Sequence, residues 1–529
     1  MSLATLLEDQ AMVRADAMAI ADHDREWTYG EAAEHRGRLA RALLEHGVEP
    51  GDRVGIHCKK GFFGFVAMHA IVSIGAIAVP LDPASPPARL AKICERMEIG
   101  VVVCSAAAQS IESIHGLRPL RAVIGVASEL LSNQGCATVA MADLVGLDPV
   151  APRAVSETEP SYIITTSGST GEPKGIVHSH RSARAYAEMV VETYGLFADD
   201  RVSDIAPYHF DISTLALWAV PMAGASNVIV SEPYQLLPAS HSQLLEDQRV
   251  TFWYSVPFLM QQLVTRGDLE NRDLSALRWV HFGGEVMAPE TVIAMMQHCP
   301  NARFANIFGP AETNQSTLAV FDSPPPTDAS LSIGFPLANT EVRVLAPGAE
   351  TPAIDDCVAP DVQGEMWTHT PQLMDGYVGQ PELNAHVLKE VDGKRFYRSG
   401  DLVSQDESGE LTFHGRIDHQ VKVRGFRIEL EGVESELEKL GLVEYVVVGV
   451  RRAHSNQDEL VAGLLGTPAD FDEESFLRSA ASVLPSYAVP NHLVPIATPA
   501  FTGSGKLDRR SLRQDAIAAF ERMLNERES

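Results

Sequence analysis

At 529 residues the chain is too long for one hydrophobic core, because single cores stop growing near about 250–300 residues, so two or more domains are expected. Its composition, 45% apolar and 21% charged, is typical of a globular protein and argues against extensive disorder. With 42 basic and 70 acidic residues, the net charge of −28 disfavours non-specific binding to nucleic acid or anionic lipid. An anionic ligand must therefore be held by local groups.

The first quarter of the chain alternates between helical and strand-like patterns. AAEHRGRLARALLEHG has the apolar spacing of an amphipathic helix, whereas GDRVGIHC and IGVVVCS have the apolar runs of strands. This alternation predicts an α/β fold with parallel strands.

One apolar stretch, residues 61–80 (GFFGFVAMHAIVSIGAIAVP), carries no formal charge and is long enough to span a membrane. However, Gly75 and Pro80 interrupt it, and LDPASPPARL follows as a turn and a new helix start. We therefore predict a buried helix followed by a short strand, and no membrane partner.

The N-terminal sequence and the cysteines indicate the cellular compartment. Glu8, Asp9 and Asp16 interrupt what would be the apolar part of a secretion signal, so none is expected. The six cysteines are scattered, without a CxxC pair, which is typical of reduced thiols. These features favour a cytoplasmic protein.

A loop rich in glycine and hydroxyl residues, TTSGSTGEPKG (165–175), follows the strand-like run SYIIT and precedes a strand that continues as a helix. Its backbone N–H groups and hydroxyls could wrap an anion, and Lys174 adds a positive charge. A solvated surface loop is the alternative. An ordinary P-loop NTPase is excluded, because Glu172 and Pro173 follow Gly171 and no hydroxyl residue follows Lys174, so the required spacing fails.

The pattern changes twice in the second half of the chain. Between residues 330 and 415, short β runs (EVRVLAP, GEMWTHT, GELTFHG) alternate with turns, which predicts a small β-rich subdomain. Beyond it come VKVRGFRIEL, the amphipathic helix LEGVESELEKL and the strands VEYVVVGVRR and ELVAGLLG, which predict a small α/β domain. We therefore predict an N-terminal domain over 1–415 and a C-terminal domain over 416–529.

The glycine-rich loop and six further motifs together resemble the superfamily of acyl-adenylate-forming enzymes, and within it a stand-alone, nonribosomal peptide synthetase-type amino acid adenylation enzyme. The resemblance covers nearly the whole chain and implies the fold of that superfamily, with a mobile C-terminal domain. It also implies that a substrate carboxylate attacks the α-phosphate of ATP, releasing pyrophosphate. The further motifs are WTYGE (27–31), AIAVPLDP (76–83), NIFGPAET (306–313), YRSGDL (397–402), GRIDHQVKVRGFRIELEGVE (415–434) and GSGKLDRR (503–510).

The resemblance assigns a first set of residues to ATP and Mg²⁺. Glu312 would bind Mg²⁺ through its carboxylate, Thr313 would contact the α-phosphate, and Phe308 would line the adenine pocket. Asp401 would accept both ribose hydroxyls, and Arg416 would reach ribose and phosphate. The β- and γ-phosphates would be held by loop residues Thr166, Ser167, Gly168, Ser169, Thr170, Gly171 and Lys174.

Two residues near the domain boundary and the C-terminus take roles by the same resemblance. Lys506 would bridge the substrate carboxylate and the α-phosphate, where negative charge develops in the transition state, and is the main catalytic candidate. Asp418 would be the hinge about which the small domain rotates after adenylation. The rotation would remove Lys506, bring VKVRGF toward the site and open a tunnel for a thiol.

The stretch APYHFDISTLALW (206–218) resembles the pocket motif of amino acid-activating members, in which Asp211 pairs with the substrate ammonium. A carboxylate in an apolar pocket needs such a partner, although a core aspartate bonded to backbone is the alternative. The Phe282 ring is expected to fill the pocket floor and select a short side chain, alanine first, then glycine, serine or proline. Gln315 could instead bind a polar substrate, and a β-amino acid remains open. The other predicted pocket walls are Ile212, Leu215, Ser255, Val280, Ile307 and Ser316.

No carrier domain with a phosphopantetheine serine motif follows Lys506, so the expected partner is a separate acyl or peptidyl carrier protein. Two alternatives remain: an acyl- or aryl-CoA ligase, which would have no use for Asp211, and a non-enzymatic scaffold of the same fold. The joint presence of Glu312, Asp401, Arg416 and Lys506 argues against the scaffold.

Overall fold

The computed structural model describes residues 2–22, 25–105, 108–168, 171–418, 420–451, 458–468, 471–496, 498–501 and 507–528. The chain divides into two compact units. Unit 1 comprises Met1–Pro83, Cys94–Thr165 and Gly175–Ile417, and unit 2 comprises Ala84–Ile93, Thr166–Lys174 and Asp418–Ser529. The functional division predicted at 415 and 416 stays a prediction.

In the first half of the chain the helices and strands are α1 (Leu6–Arg14), β1 (Met18–Asp22), β2 (Arg25–Thr28), α2 (Tyr29–Glu45), β3 (Arg53–His57), α3 (Phe62–Ser73), β4 (Ile77–Pro80), α4 (Pro87–Arg96), β5 (Val101–Cys104), α5 (Ala108–Leu117), β6 (Ala122–Gly125), α6 (Glu129–Asn133), β7 (Ala137–Ala140), α7 (Met141–Leu144), β8 (Pro160–Ser167), β9 (Pro173–Ser179), α8 (His180–Tyr194), β10 (Arg201–Asp204), α9 (Val220–Ala223), β11 (Ser226–Ile229), α10 (Glu232–Leu236) and α11 (Pro238–Asp247).

In the second half they are β12 (Phe252–Ser255), α12 (Pro257–Arg266), β13 (Trp279–Gly283), α13 (Pro289–Met296), β14 (Arg303–Phe308), β15 (Thr317–Phe321), β16 (Phe335–Pro336), β17 (Glu341–Leu345), β18 (Gly364–His369), β19 (Gly376–Tyr377), α14 (Pro381–Val387), β20 (Leu388–Val391), β21 (Lys394–Gln405), β22 (Leu411–Arg416), β23 (Gln420–Val423), β24 (Phe426–Glu429), α15 (Leu430–Glu438), β25 (Tyr445–Arg451), β26 (Glu459–Leu465), α16 (Glu473–Val483), β27 (His492–Pro495) and α17 (Arg509–Glu528).

Two large sheets form most of the N-terminal part. Sheet A has the strand order β16-β15-β14-β13-β12-β10-β11-β1-β2, and sheet B has the order β19-β9-β8-β4-β3-β5-β6-β7. Strands β10 to β14 of sheet A and β3 to β7 of sheet B pair in parallel. The predicted α/β fold with parallel strands is confirmed.

The apolar stretch 61–80 forms α3 and β4, as predicted. All residues of α3 except Phe63 are buried. Its side chains share one core with strands of both sheets, so the helix is apolar all round because protein surrounds it. Gly75 has a φ of +74°, the left-handed conformation that glycine adopts readily just after a helix end. Among the described residues, no helix combines the length and apolar character needed to cross a bilayer.

Sheet C is the β-rich subdomain predicted between residues 330 and 415. Strands β17, β18, β21 and β20 pair antiparallel in that order, and β22 pairs with β21. The antiparallel pairing is that expected for short runs separated by turns, although β18 pairs with β21 and not with the next strand along the chain. Asp401 and Arg416 lie opposite each other on β21 and β22.

The C-terminal part of unit 2 is the predicted small α/β assembly. Strands β23 and β24 form a hairpin whose turn residues, Arg424 and Gly425, both have positive φ, the geometry of a tight hairpin turn. Helices α15 and α16 share a core with sheet E, formed by β25, β26 and β27. Glu434 of α15 is fully buried and pairs with Arg513 of α17 at 2.8 Å, which fixes the two helices together.

Candidate active site

The GPAET motif forms a tight loop between the antiparallel strands β14 and β15. Gly309 begins it where a Cβ atom would lie 2.3 Å from the Asn314 carbonyl oxygen, so only glycine fits. Asn314 has a φ of +54°, and the Ser316 N–H donates to the Phe308 carbonyl at 2.8 Å to close the loop. The sharp reversal places Glu312 and Thr313 at the end of the parallel strand β14.

Glu312 is held in a fixed orientation inside unit 1. Its side chain is buried, and the Tyr377 hydroxyl donates to its Oε1 at 2.6 Å. Its carbonyl accepts from the Met374 N–H at 2.8 Å, and neighbouring Thr313 places its Oγ1 2.9 Å from Ser316 Oγ. A buried carboxylate that is hydrogen-bonded on one oxygen is oriented for a cationic partner.

Asp401 and Arg416 form a pair across neighbouring strands. Arg416 Nη1 donates to Asp401 Oδ1 at 2.5 Å, and Arg416 Nη2 donates to the Ser399 carbonyl at 2.9 Å. Asp401 lies within β21, next to an irregularity in the pairing between Leu402 and Val403. Phe308 is half-buried, with its ring 5.5 Å from that of Phe413 on β22.

Asp211 lies in the loop that follows β10, and one hydrogen bond joins this loop to the GPAET loop. The Ile212 N–H donates to Asp211 Oδ1 at 3.0 Å, and Thr214 donates from Oγ1 to the Asp211 carbonyl at 2.5 Å. The same Thr214 hydroxyl lies 3.4 Å from Asn314 Oδ1. Segments about a hundred residues apart in sequence are therefore adjacent, as the pocket motif predicts.

The Asp211 charge acts electrostatically on three buried tyrosines, Tyr162, Tyr186 and Tyr254, which no sequence motif selects. Burial raises the pKa of each hydroxyl well above its usual value, and the Asp211 charge raises it further. They come from β8, α8 and β12, so only the fold brings them together.

The register of β12 and β13 divides the residues around the predicted pocket between two faces of sheet A. Trp253 and Ser255 pair with Val280 and Phe282, and Tyr254 pairs with His281. Side chains alternate between the two faces of a sheet, so these pairs point to opposite faces. Trp253, Val280 and Phe282 belong to a core that also contains α12 and α13, whereas Tyr254 and Ile307 belong to the core that contains α3.

Ser255, Val280 and Phe282 thus lie on the face of sheet A away from Tyr254. The Phe282 ring is fully buried and stacks with Phe321 at 6.4 Å, in the core beside α12 and α13, and its role as the pocket floor stays a prediction. A shift of one residue along a strand exchanges the faces.

His281 lies on the face opposite to that of Phe282. Its ring lies 4.2 Å from that of Tyr194 and 6.0 Å from that of Tyr254. Burial lowers the pKa of the imidazole to about 3, so it is neutral. In the described part of the chain neither ring nitrogen has a hydrogen-bond partner. Gln315 is also buried, and its Nε2 donates to the Tyr194 hydroxyl.

The glycine-rich loop is described only in part. Gly171 has a φ of +82°, its N–H donates to the Gly168 carbonyl at 3.0 Å, and Gly168 in turn donates to the Glu172 carbonyl at 3.0 Å. Lys174 Nζ lies 3.7 Å from Glu429 Oε1 in the same unit. Thr166 and Ser167 end β8. Ser169, Thr170 and the predicted catalytic residue Lys506 lie outside the described residues.

The remaining predicted residues lie where the motifs suggest. Leu215 is buried and begins a short π-helical turn, Leu215–Ala219, and Ile212 is packed against the α3 core. Such turns are frequent at functional sites. Asp418 is the first residue of the last segment of unit 2, and its Oδ1 accepts from the Gln420 N–H at 3.2 Å.

The sequence profile of AMP-binding enzymes matches residues 7–378. The chain is 33% identical over 513 residues to a linear gramicidin synthase protein of Brevibacillus parabrevis, covering 96% of this chain and 6% of that protein. It is 30% identical over 521 residues to phenyloxazoline synthase MbtB of Mycobacterium tuberculosis, covering 97% and 34%. It thus spans about a third or less of the length of these two relatives.

Among solved structures, the fold is similar to that of the Vibrio cholerae adenylation domain AlmE in complex with glycyl-adenosine-5'-phosphate. The TM-score is 0.83 at 23% identity, with 98% of each chain covered. The matching profile covers most of the chain, and the fold agrees with it over nearly the full length. The chain therefore belongs to the family of AMP-binding enzymes, as an acyl-adenylate-forming, AMP-forming ligase of the nonribosomal peptide synthetase adenylation type.

Proposed function

We propose that this ligase activates a small amino acid as its aminoacyl-adenylate and then transfers the aminoacyl group to the phosphopantetheine thiol of a separate carrier protein. The observation that carries the proposal is Asp211, a half-buried carboxylate whose charge acts on the buried hydroxyls of Tyr162, Tyr186 and Tyr254. An ammonium group is the natural complement of a carboxylate in largely apolar surroundings.

The side chains on the Tyr254 face of sheet A support a short substrate side chain. Tyr254, His281 and the hydrogen-bonded pair of Tyr194 and Gln315 lie on this face, opposite to Phe282. Aromatic side chains of this size leave room for a short substrate. Alanine therefore remains the first candidate, then glycine, serine and proline. A β-amino acid stays open, since Asp211 requires only an ammonium.

ATP would be held by side chains from several of the motifs. Asp401 and Arg416 would bind the ribose, Thr313 the α-phosphate, and the residues of the glycine-rich loop the β- and γ-phosphates. Among the described residues, no group of three or more His, Cys, Asp or Glu side chains is arranged to hold a metal ion. A single buried carboxylate, that of Glu312, fits Mg²⁺ that enters with the nucleotide, because Mg²⁺ is usually held by one or two carboxylates, phosphates and water.

The proposed reaction has two balanced half-reactions. In the first, a carboxylate oxygen of the amino acid attacks the α-phosphorus, and the bond to pyrophosphate breaks. In the second, the carrier thiolate attacks the acyl carbon and AMP leaves. Lys506 would stabilise the charge of the first transition state. The division of labour between residues 1–415 and 416–529, with a hinge at Asp418, is part of the proposal.

The main competitor is an acyl- or aryl-CoA ligase, and a substrate panel separates the two. Pyrophosphate exchange is measured with the common amino acids, several β-amino acids and their desamino analogues. Exchange should depend on a small amino acid, and thioester should form on a phosphopantetheinylated carrier protein in preference to coenzyme A. Full exchange on desamino acids alone, or turnover of coenzyme A without carrier loading, would contradict the proposal.

The face assignment makes a separate prediction about Phe282. Phe282→Ala should lower the free energy of unfolding by about 3–5 kcal/mol, because it removes a fully buried ring from the core beside α12 and α13. The order of preference among amino acids should stay unchanged. Urea denaturation and the substrate panel measure the two effects. Tyr254→Ala, on the opposite face, is the matched variant and should admit larger side chains; altered selectivity in Phe282→Ala would support Phe282 as the pocket floor.

A further inference from the structure

A buried ion pair, outside the residues already assigned, joins the two large sheets. Lys60 follows β3 of sheet B, and Asp204 is the last residue of β10 in sheet A. Lys60 Nζ lies 2.5 Å from Asp204 Oδ1, and the two side chains are 7% and 1% exposed. Burial lowers the pKa of Lys60 and raises that of Asp204, and each charge counteracts the shift of the other.

Stability does not explain why this pair is present. Removing two charges from water is unfavourable, and apolar side chains of similar volume are often as good or better in such a place. Within the described part of the chain, Asp204 Oδ2 has no hydrogen-bond partner, so the pair is not fully satisfied. An ion pair that does not increase the free energy of unfolding and is incompletely hydrogen-bonded suggests that its role is to position neighbouring residues.

The pair is directly connected to the loop that carries Asp211. Lys60 Nζ lies 4.3 Å from the centre of the Tyr208 ring, and the Tyr208 hydroxyl donates to the Gly61 carbonyl at 2.6 Å. The ring packs so closely on α3 that a Cβ atom at Gly64 would lie 2.3 Å from it. These contacts therefore hold the Tyr208 side chain in one position at the start of α3.

The contacts continue from Tyr208 to the substrate-binding segment. The Tyr208 carbonyl accepts from Ser213 Oγ at 3.2 Å, two residues beyond Asp211. The beginning of the loop is held by the contact of Asp204 with Lys60, and its middle by the contacts of Tyr208 with Lys60 and Gly61. The loop from Asp204 to Asp211 thus depends on that turn for its conformation.

We propose that Lys60 and Asp204 are positioning residues, whose ion pair, together with Tyr208, holds the loop so that the Asp211 carboxylate meets the substrate ammonium. The inference rests on the proposed role of Asp211 as the ammonium ligand. Misplacing a recognition group by about 1 Å can reduce catalysis about 10²-fold. The pair should therefore act on recognition of the amino acid and leave recognition of ATP unchanged.

The test compares three variants of the full chain in amino acid-dependent pyrophosphate exchange. Lys60→Met/Asp204→Leu removes both charges together, which avoids leaving one buried and unpaired. It should fold with a native-like Tm, raise the KM for the amino acid about tenfold or more, and leave the KM for ATP within about twofold. Tyr208→Phe keeps the charges, removes the two hydrogen bonds between the Tyr208 hydroxyl and the Gly61 backbone, and should shift the same KM by a smaller factor.

Arg278→Met is the matched control, because Arg278 pairs at 2.6 Å with buried Asp200 at the opposite end of β10. It should lower Tm without changing the KM for the amino acid. A folded double variant and a Tyr208→Phe variant that both keep the native KM would overturn the inference. A native enzyme that shows no amino acid-dependent exchange would instead overturn the proposed function, so the two failures are distinguishable.

Discussion

Replacing Lys506 by alanine should reduce amino acid-dependent pyrophosphate exchange by about 10²–10³-fold, the usual loss when one group that stabilises transition-state charge is removed. The lysine side chain is expected to neutralise charge that develops between the substrate carboxylate and the α-phosphate. Isotope exchange between pyrophosphate and ATP at saturating amino acid measures this step alone.

The control for Lys506→Ala is Arg510→Ala, which removes an exposed positive charge four residues later and should leave exchange unchanged. A second experiment supplies preformed aminoacyl-adenylate and measures transfer of the aminoacyl group to the carrier thiol. Lys506→Ala should retain this transfer, because the second half-reaction does not use Lys506. Native exchange rates in Lys506→Ala would refute the assignment, and loss of both half-reactions would indicate a structural role.

Asp211→Asn should lower kcat/KM for the amino acid by about 10²–10³-fold, equivalent to about 3–4 kcal/mol, because the ammonium would enter a pocket without a counter-charge. The substitution keeps the shape of the side chain, so Tyr162, Tyr186 and Tyr254 should remain in place. The KM for ATP should change little. Exchange kinetics at varied amino acid and varied ATP separate the two effects.

Desamino analogues sharpen the interpretation of Asp211→Asn. They lack the ammonium, so the native enzyme should discriminate strongly against them and the variant should discriminate much less. Asp199→Asn is the control, since Asp199 is exposed just before β10 and has no predicted role. If Asp211→Asn retains native kcat/KM for the amino acid, the ammonium assignment is wrong.

Much of the fold can be predicted from sequence because strongly patterned segments fold locally. The helix α3 and strand β4 follow from an apolar run that Gly75 divides into a helical part and a strand. The GPAET loop is located by its motif, and its glycine and the left-handed Asn314 show why the motif has this shape.

The pocket is harder to derive, because the sequence contains no directional information there. Strands β12 and β13 are buried on both faces, so apolar residues lie on both and alternation does not reveal which face meets the substrate. For this reason the sequence does not single out His281 beside Phe282. Tyr162, Tyr186 and Lys60 come from distant segments, and only their convergence in three dimensions marks them.

The alternation along β12 and β13 also bears on how such an enzyme diversifies. One set of side chains, with Trp253 and Phe282, packs against α12 and α13, while the set with Tyr254 and His281 lies on the opposite face of the sheet. Substitutions in the second set leave the packing of the first set intact, so the substrate range can change without a loss of folding stability. Adjacent residues of one strand can therefore evolve under different constraints.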